Sequence, residues 1–148
     1  MATMIFAMQH NPSEAQVAAA RAMGAYRLVA MCATPDPAKG QGTPTEGVEY
    51  LGRQALLNVP DDLTLGRDWF IAQALKIVDA VGGVAEGDIV QAMGQQQLAM
   101  AVNAAARRAC AALVESVTKR ESVDMVKDGT TVKTSVFRFV GYRTLYEF

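Results

Sequence analysis

One histidine and two cysteines in 148 residues leave little from which to build a metal centre or a disulfide scaffold. His10 stands alone, so a His-rich metal site is excluded. Cys32 and Cys110 lie far apart, each in an apolar run, where a thiol is expected to be packed. An excess of one charge is also lacking: 14 basic side chains face 15 acidic ones, for a net charge of −1. Proteins that coat long nucleic acids usually carry a basic excess, so such a polymer is not the expected partner, although a small anion held by a local cluster stays open. No apolar run approaches the ~20 residues needed to span a bilayer. The start, "MATMIFAMQH", lacks the basic end and long apolar core of a signal peptide, so no membrane is expected and the cytoplasm is the default. Familiar catalytic signatures are missing as well: GxSxG, the P-loop, GxGxxG and HExxH are all absent, and no carboxylate pair stands out for acid-base work. Any chemistry must therefore rest on position and positive charge, with neither metal nor cofactor.

What is there reads as a single domain over 1–148. Met4 to Met8, "MIFAM", is a short continuous apolar run, the pattern of a strand buried on both faces of a parallel sheet. "QHNPSE" follows, with Asn11 placed to cap a helix, Pro12 in its first turn and Gly24 as its terminator. Tyr26 to Cys32 reads as a second strand. The stretch 33–47 holds three prolines and three glycines and is long for a connection, which favours a flexible segment or a lid. Helices are expected over Val48–Asn58 and Arg67–Val81, then a strand over Asp88–Met93. The Ala-rich helix "QQQLAMAVNAAARRAC" comes next, its Arg107 and Arg108 favouring the dipole at its end. A C-terminal strand and hairpin fill 115–145.

This alternation predicts an α/β fold, a mostly parallel sheet flanked by helices on both faces. Right-handed crossovers gather the loops after the strands at one edge, where open α/β sheets bind ligands. Three polar segments qualify: Gln9-His10-Asn11, Gly94-Gln95-Gln96 and Thr118-Lys119-Arg120. The first two open helices and offer backbone N–H groups to an anion. His10 either contacts a ligand or donates to a nearby carbonyl, and the glutamines either grip a ligand or form a solvated first turn. In the hairpin, Asp128-Gly129 signals a two-residue turn. Pairing outward from it sets Met125 against Val132, Asp124 against Lys133, Arg120 against Phe137 and Lys119 against Arg138. Two facing cations normally cost a few tenths to about 1 kcal/mol. An anion between them turns the pair into a clamp. Alternatively, a bulge moves Lys119 off Arg138, or Glu115, Glu121 or Glu147 neutralises one of them.

Three segments carry a family resemblance. "VTKRESVDMVKDGTTVKTSVFRFVGYR" resembles the ending of small CRISPR-associated ring nucleases. "MIFAMQHNPSEAQ" looks like their first strand and His-containing loop, and "GDIVQAMGQQQ" is similar to their central strand and ligand loop. The sequence departs from that pattern at Ala92, Met93, Phe139 and Gly141. The resemblance implies a Rossmann-like CARF domain acting as a homodimer that binds a cyclic oligoadenylate, most often the four-membered ring. It also implies metal-independent cleavage by the ligand's own 2′-hydroxyl to a 2′,3′-cyclic phosphate, which ends a type III CRISPR antiviral signal. His10, Lys119 and Arg138 would be catalytic, and Gln9, Asn11, Gly94, Gln95, Gln96, Thr118 and Arg120 would bind the ring. The alternatives are a non-catalytic module that senses or sequesters the ring, and an unrelated protein of similar fold whose hairpin is a dimerisation element.

Overall fold

The computed structural model describes residues 1–148. Its elements run β1 (Ala2–Ala7), α1 (Glu14–Ala22), β2 (Ala25–Ala30), β3 (Val48–Tyr50), α2 (Arg67–Ala80), β4 (Ile89–Ala92), α3 (Gln96–Arg108), β5 (Ala112–Lys127) and β6 (Thr130–Thr144). The six strands form one sheet in the order β3-β2-β1-β4-β5-β6, in which every neighbouring pair is parallel except the antiparallel β5–β6 hairpin. The expected α/β architecture is the one found. No helix is long and apolar enough to cross a membrane.

Alternation along the strands divides the core. Ile5, Ala7, Val29, Met31, Val90 and Leu113 face one way, onto Ala74 and Ile77 of α2 and Leu98, Val102 and Ala106 of α3. Met4, Phe6, Leu28 and Ala30 face the other way, onto Val17 and Ala20 of α1. Because β1 is covered on both faces from Met4 onward, the run Met4–Ala7 is apolar at every position rather than at every second one.

Some local expectations are corrected. Ser13, not Asn11, caps α1: its Oγ accepts from Gln16 N–H at 3.1 Å and the Gln16 side chain returns a bond from the Ser13 amide, a complete capping box. Val48–Asn58 is not a helix. Val48, Glu49 and Tyr50 pair with Leu28, Val29 and Ala30, and Gly52, with φ +64°, turns the chain into one short 3₁₀ turn at Gln54–Leu57. Cys110 is exposed rather than packed, and it occupies the left-handed position after α3 with φ +62°. Cys32 is buried as expected, and burial pushes its thiol pKa up.

The 33–47 segment is anchored at its far end. Asn11 Nδ2 donates to the Thr43 carbonyl at 3.0 Å, buried Thr45 donates through its hydroxyl to the Pro12 carbonyl, and the Thr45 amide donates to the Tyr50 hydroxyl at 2.8 Å.

The hairpin pairs residue for residue as its turn predicts. Asp128 and Gly129 both have positive φ, 52° and 75°, and the ladder runs from Lys127–Thr130 through Lys119–Arg138 to Thr118–Phe139. A bulge then falls between Val117 and Thr118: Val117 pairs with Gly141, so Val140 is the extra residue. Beyond Leu113, β5 has no further pairing with β4. The distal hairpin is thus a two-stranded arm that leaves the sheet.

Candidate functional site

The strand order places β2 and β3 on one side of β1 and β4 and β5 on the other, so the chain changes winding direction between β1 and β4. Beyond the carboxyl ends of these strands is the place where open α/β sheets leave a crevice. Here that crevice has a volume of about 350 Å³ and is lined by Gln9, His10, Leu57, Met93, Gly94 and Gln95. Four residues singled out from sequence, Gln9, His10, Gly94 and Gln95, therefore meet in one cavity. Gly94 has φ +125°, a conformation only glycine adopts readily, and it allows β4 to turn directly into α3. Gln95 caps that helix, its Oε1 accepting from the Leu98 amide at 2.8 Å. Gln96 is exposed at the first helical position.

The third loop at the crevice is not Thr118-Lys119-Arg120. It is the connection after β3, which supplies Leu57 to the lining and Asn58, whose Oδ1 accepts from Gln9 Nε2 at 2.8 Å. The signal for this was present in the sequence: a strand at Val48–Tyr50 implies a loop at the same edge of the sheet, and reading that stretch as helix hid it. Asn11 stands beside the crevice, but its amide is occupied, donating to Thr43 and accepting from the Tyr50 hydroxyl. It positions the loop.

Thr118, Lys119 and Arg120 lie inside β5 rather than in a loop after a strand. Ile89 and Val90 pair with Ala112 and Leu113, so the end of β4 at Ala92 is level with Glu115. Lys119 is four residues further out, about 13 Å along an extended strand. The predicted face-to-face cations do exist, but the repulsion is relieved from within: Arg138 Nη2 lies 3.3 Å from Glu121 Oε2, while Lys119 has no carboxylate within 4.0 Å. Alternation puts Lys119, Glu121 and Arg138 on one face of the ribbon and Thr118, Arg120, Phe137 and Phe139 on the other. The crevice itself has no lysine or arginine in its lining.

A buried polar cluster roots the arm. Gln91, 1% exposed, donates from Nε2 to Ser116 Oγ at 2.6 Å and accepts the Tyr142 hydroxyl at Oε1 at 2.7 Å, while Gln16 Nε2 reaches the same Ser116 oxygen at 3.3 Å. Burial holds the Tyr142 phenol well above the usual tyrosine range, with its contact to Ser116 offsetting part of the effect. Phe139 packs edge-on against Tyr142 at 5.0 Å. This cluster ties β4, β5, β6 and α1 together just below the crevice. Sequence reading missed it because a glutamine in a strand gives no sign of which polar groups will surround it.

Residues 2–143 match the family described as uncharacterized protein MJ1673, and the chain belongs to that family. No curated protein and no solved structure matches it.

Proposed function

Taking the chain as a member of that family, we propose that it is a ring nuclease: a homodimer that binds a cyclic oligoadenylate at the β1/β4 crevice and cleaves it in the cytoplasm, ending a type III CRISPR antiviral signal. The observation that carries this reading is the convergence of Gln9, His10, Gly94 and Gln95 in one crevice at the switch point. The resemblance of the three segments around these residues and the hairpin supplies the substrate class.

The reaction asks little of the protein. The ligand's ribose 2′-oxygen attacks the adjacent phosphorus and gives up its proton to water, the O2′–P bond forms and the P–O5′ bond breaks, and the 5′-oxygen leaves protonated. The products are a 2′,3′-cyclic phosphate and a 5′-hydroxyl. His10, exposed at the crevice, is the proton donor to the departing oxygen. Gln9, Gln95, Gln96 and the backbone at Gly94 hold ribose and phosphate oxygens, and Lys119 and Arg138 meet the charge that develops on phosphorus, with Thr118 and Arg120 on a neighbouring nucleotide. In-line placement and fixed donors are the two effects that such a site contributes.

Incubation with radiolabelled cyclic tetra-adenylate in EDTA tests the reading. Linear product ending in a cyclic phosphate is expected. Tight binding without product selects a second reading, a module that sequesters or senses the ring. That reading is favoured by one observation: Lys119 stands about 13 Å past the end of β4 along its own strand, and Arg138 is already engaged by Glu121. Absence of binding removes both.

A further inference from the structure

Helices α2 and α3 lie side by side on one face of the sheet. Each connects two parallel strands, so both run against the strands and both begin at the crevice end. Between them is a second cavity, larger than the crevice, with a volume of about 460 Å³. Small residues leave it open: Ala74 on α2 and Ala101, Ala104 and Ala105 on α3 all line it. The lining holds two arginines, Arg67 and Arg108, and no carboxylate.

Shape narrows the choice of occupant. From Gln97 to Arg108 the groove follows α3 for about 16 Å. That length and a volume of about 460 Å³ give a mean section of about 29 Å², roughly 6 Å across. A helix with its side chains is about 10–12 Å across and does not enter. A single hydrocarbon chain does, and an extended dodecanoyl chain matches the groove in length.

Charge supplies the rest. Neither Arg67 nor Arg108 has a carboxylate within 4.0 Å. Arg108 ends α3, where the helix dipole favours a cation. Arg67 opens α2, where the dipole disfavours one, so nothing in the fold accounts for it. Gln97 lines the same end of the groove. Asp61 and Asp62 stand outside, in the hollow beyond Leu65, and Asp62 is turned back onto Thr64 at 2.6 Å.

We propose that the α2–α3 groove binds a linear aliphatic acid, its carboxylate on Arg67 at the crevice end and its chain laid toward Arg108. The guanidinium and the carboxylate form a charge-assisted pair. The chain leaves water along the row of alanines, and Arg108 covers the far end with its apolar stem. Nothing in this depends on the ring-nuclease reading, because the groove and the crevice share no lining residue.

Titration with dodecanoate below its micelle-forming concentration is the test. Trp69, the one tryptophan, meets Phe70 of the lining edge-on at 5.1 Å, so its fluorescence reports filling of the groove. One saturable site is expected, with calorimetry and fluorescence giving the same dissociation constant. Octanoate should bind at least tenfold more weakly, since every buried CH₂ contributes. Tetradecanoate should gain less than threefold over dodecanoate, because its last carbons leave the groove. Arg67→Gln, at an exposed position, should weaken dodecanoate at least tenfold and dodecanol less than twofold. Ala104→Leu should weaken both at least tenfold, with the far-ultraviolet circular dichroism retained. Absence of a saturable site overturns the proposal, as does affinity that keeps climbing with chain length. Equal loss of acid and alcohol in Arg67→Gln overturns it too. Flotation with phosphatidylglycerol vesicles, without binding of free dodecanoate, would replace it with a lipid surface.

Discussion

Tyr142 donates its phenolic proton to Gln91 across 2.7 Å, joining the root of the last strand to the central strand that leads into the crevice. Gln91 is almost wholly buried, so its carbonyl oxygen has no water to replace that donor. Tyr142→Phe is therefore expected to destabilise the fold by about 1–3 kcal/mol at neutral pH, the cost of leaving a buried acceptor unsatisfied. The pH dependence follows in sign. The folded phenol has a pKa raised above its unfolded value, so its contribution is complete below about 10 and is lost as pH rises through the alkaline range. Chemical denaturation from pH 7 to 11 checks this: the gap between wild type and Tyr142→Phe should narrow only above pH about 10.

Cys110 holds a left-handed conformation that glycine adopts without strain. Because the side chain is exposed, little packing is lost on removing it. Cys110→Gly should raise stability by about 0.5–1 kcal/mol, and Cys110→Val should lower it by at least as much. Thermal melts of the three proteins decide the matter.

Asn11 separates two roles that sequence alone leaves merged. Its amide bridges the Thr43 carbonyl and the Tyr50 hydroxyl. Asn11→Ala should cost about 1–3 kcal/mol of stability through those lost partners, while the affinity of the folded fraction for cyclic tetra-adenylate changes less than threefold. Calorimetry measured well below the melting temperature reads the two effects apart. A large loss of affinity with unchanged stability would make Asn11 a ligand contact after all.

The two exposed lysines on one face of the arm should differ. Lys119 is level with the root of the arm, and Lys127 is at its tip beside the turn. A charge-assisted bond to phosphate is worth about 1.5–3 kcal/mol, so Lys119→Ala should weaken ring binding or slow cleavage by about 10- to 100-fold. Lys127→Ala should change either by less than twofold. Equal effects would place the charge requirement in the arm's overall field rather than at Lys119.

What the sequence made legible follows from how locally each feature is determined. The Asp128-Gly129 turn fixes the pairing of everything beyond it, and so Lys119 could be set opposite Arg138 by counting. The buried strand at β1 announced itself through an unbroken apolar run. Val48–Tyr50 did not, because a three-residue edge strand is too short to show a period, and its pairing with β2 is a tertiary event. The place of Lys119 was hidden for a related reason. Whether a β-branched, alternating stretch ends at the sheet or runs on past it depends on where its neighbour stops, and β4 stops at Ala92. The crevice was legible because topology alone gathers the loops after β1 and β4, whereas Asn58 and the Gln91 cluster depend on contacts between distant segments.

The extra residue at Val140 sits where the ribbon departs from the body. From that joint to the tip is about 30 Å, so a change of only 10° in bend or twist swings the tip by about 5 Å, more than the spacing between neighbouring strands. The hairpin therefore behaves as a lever with its pivot at one residue. Deleting Val140 would leave every cross-strand pair of the ribbon intact yet aim the far end somewhere else.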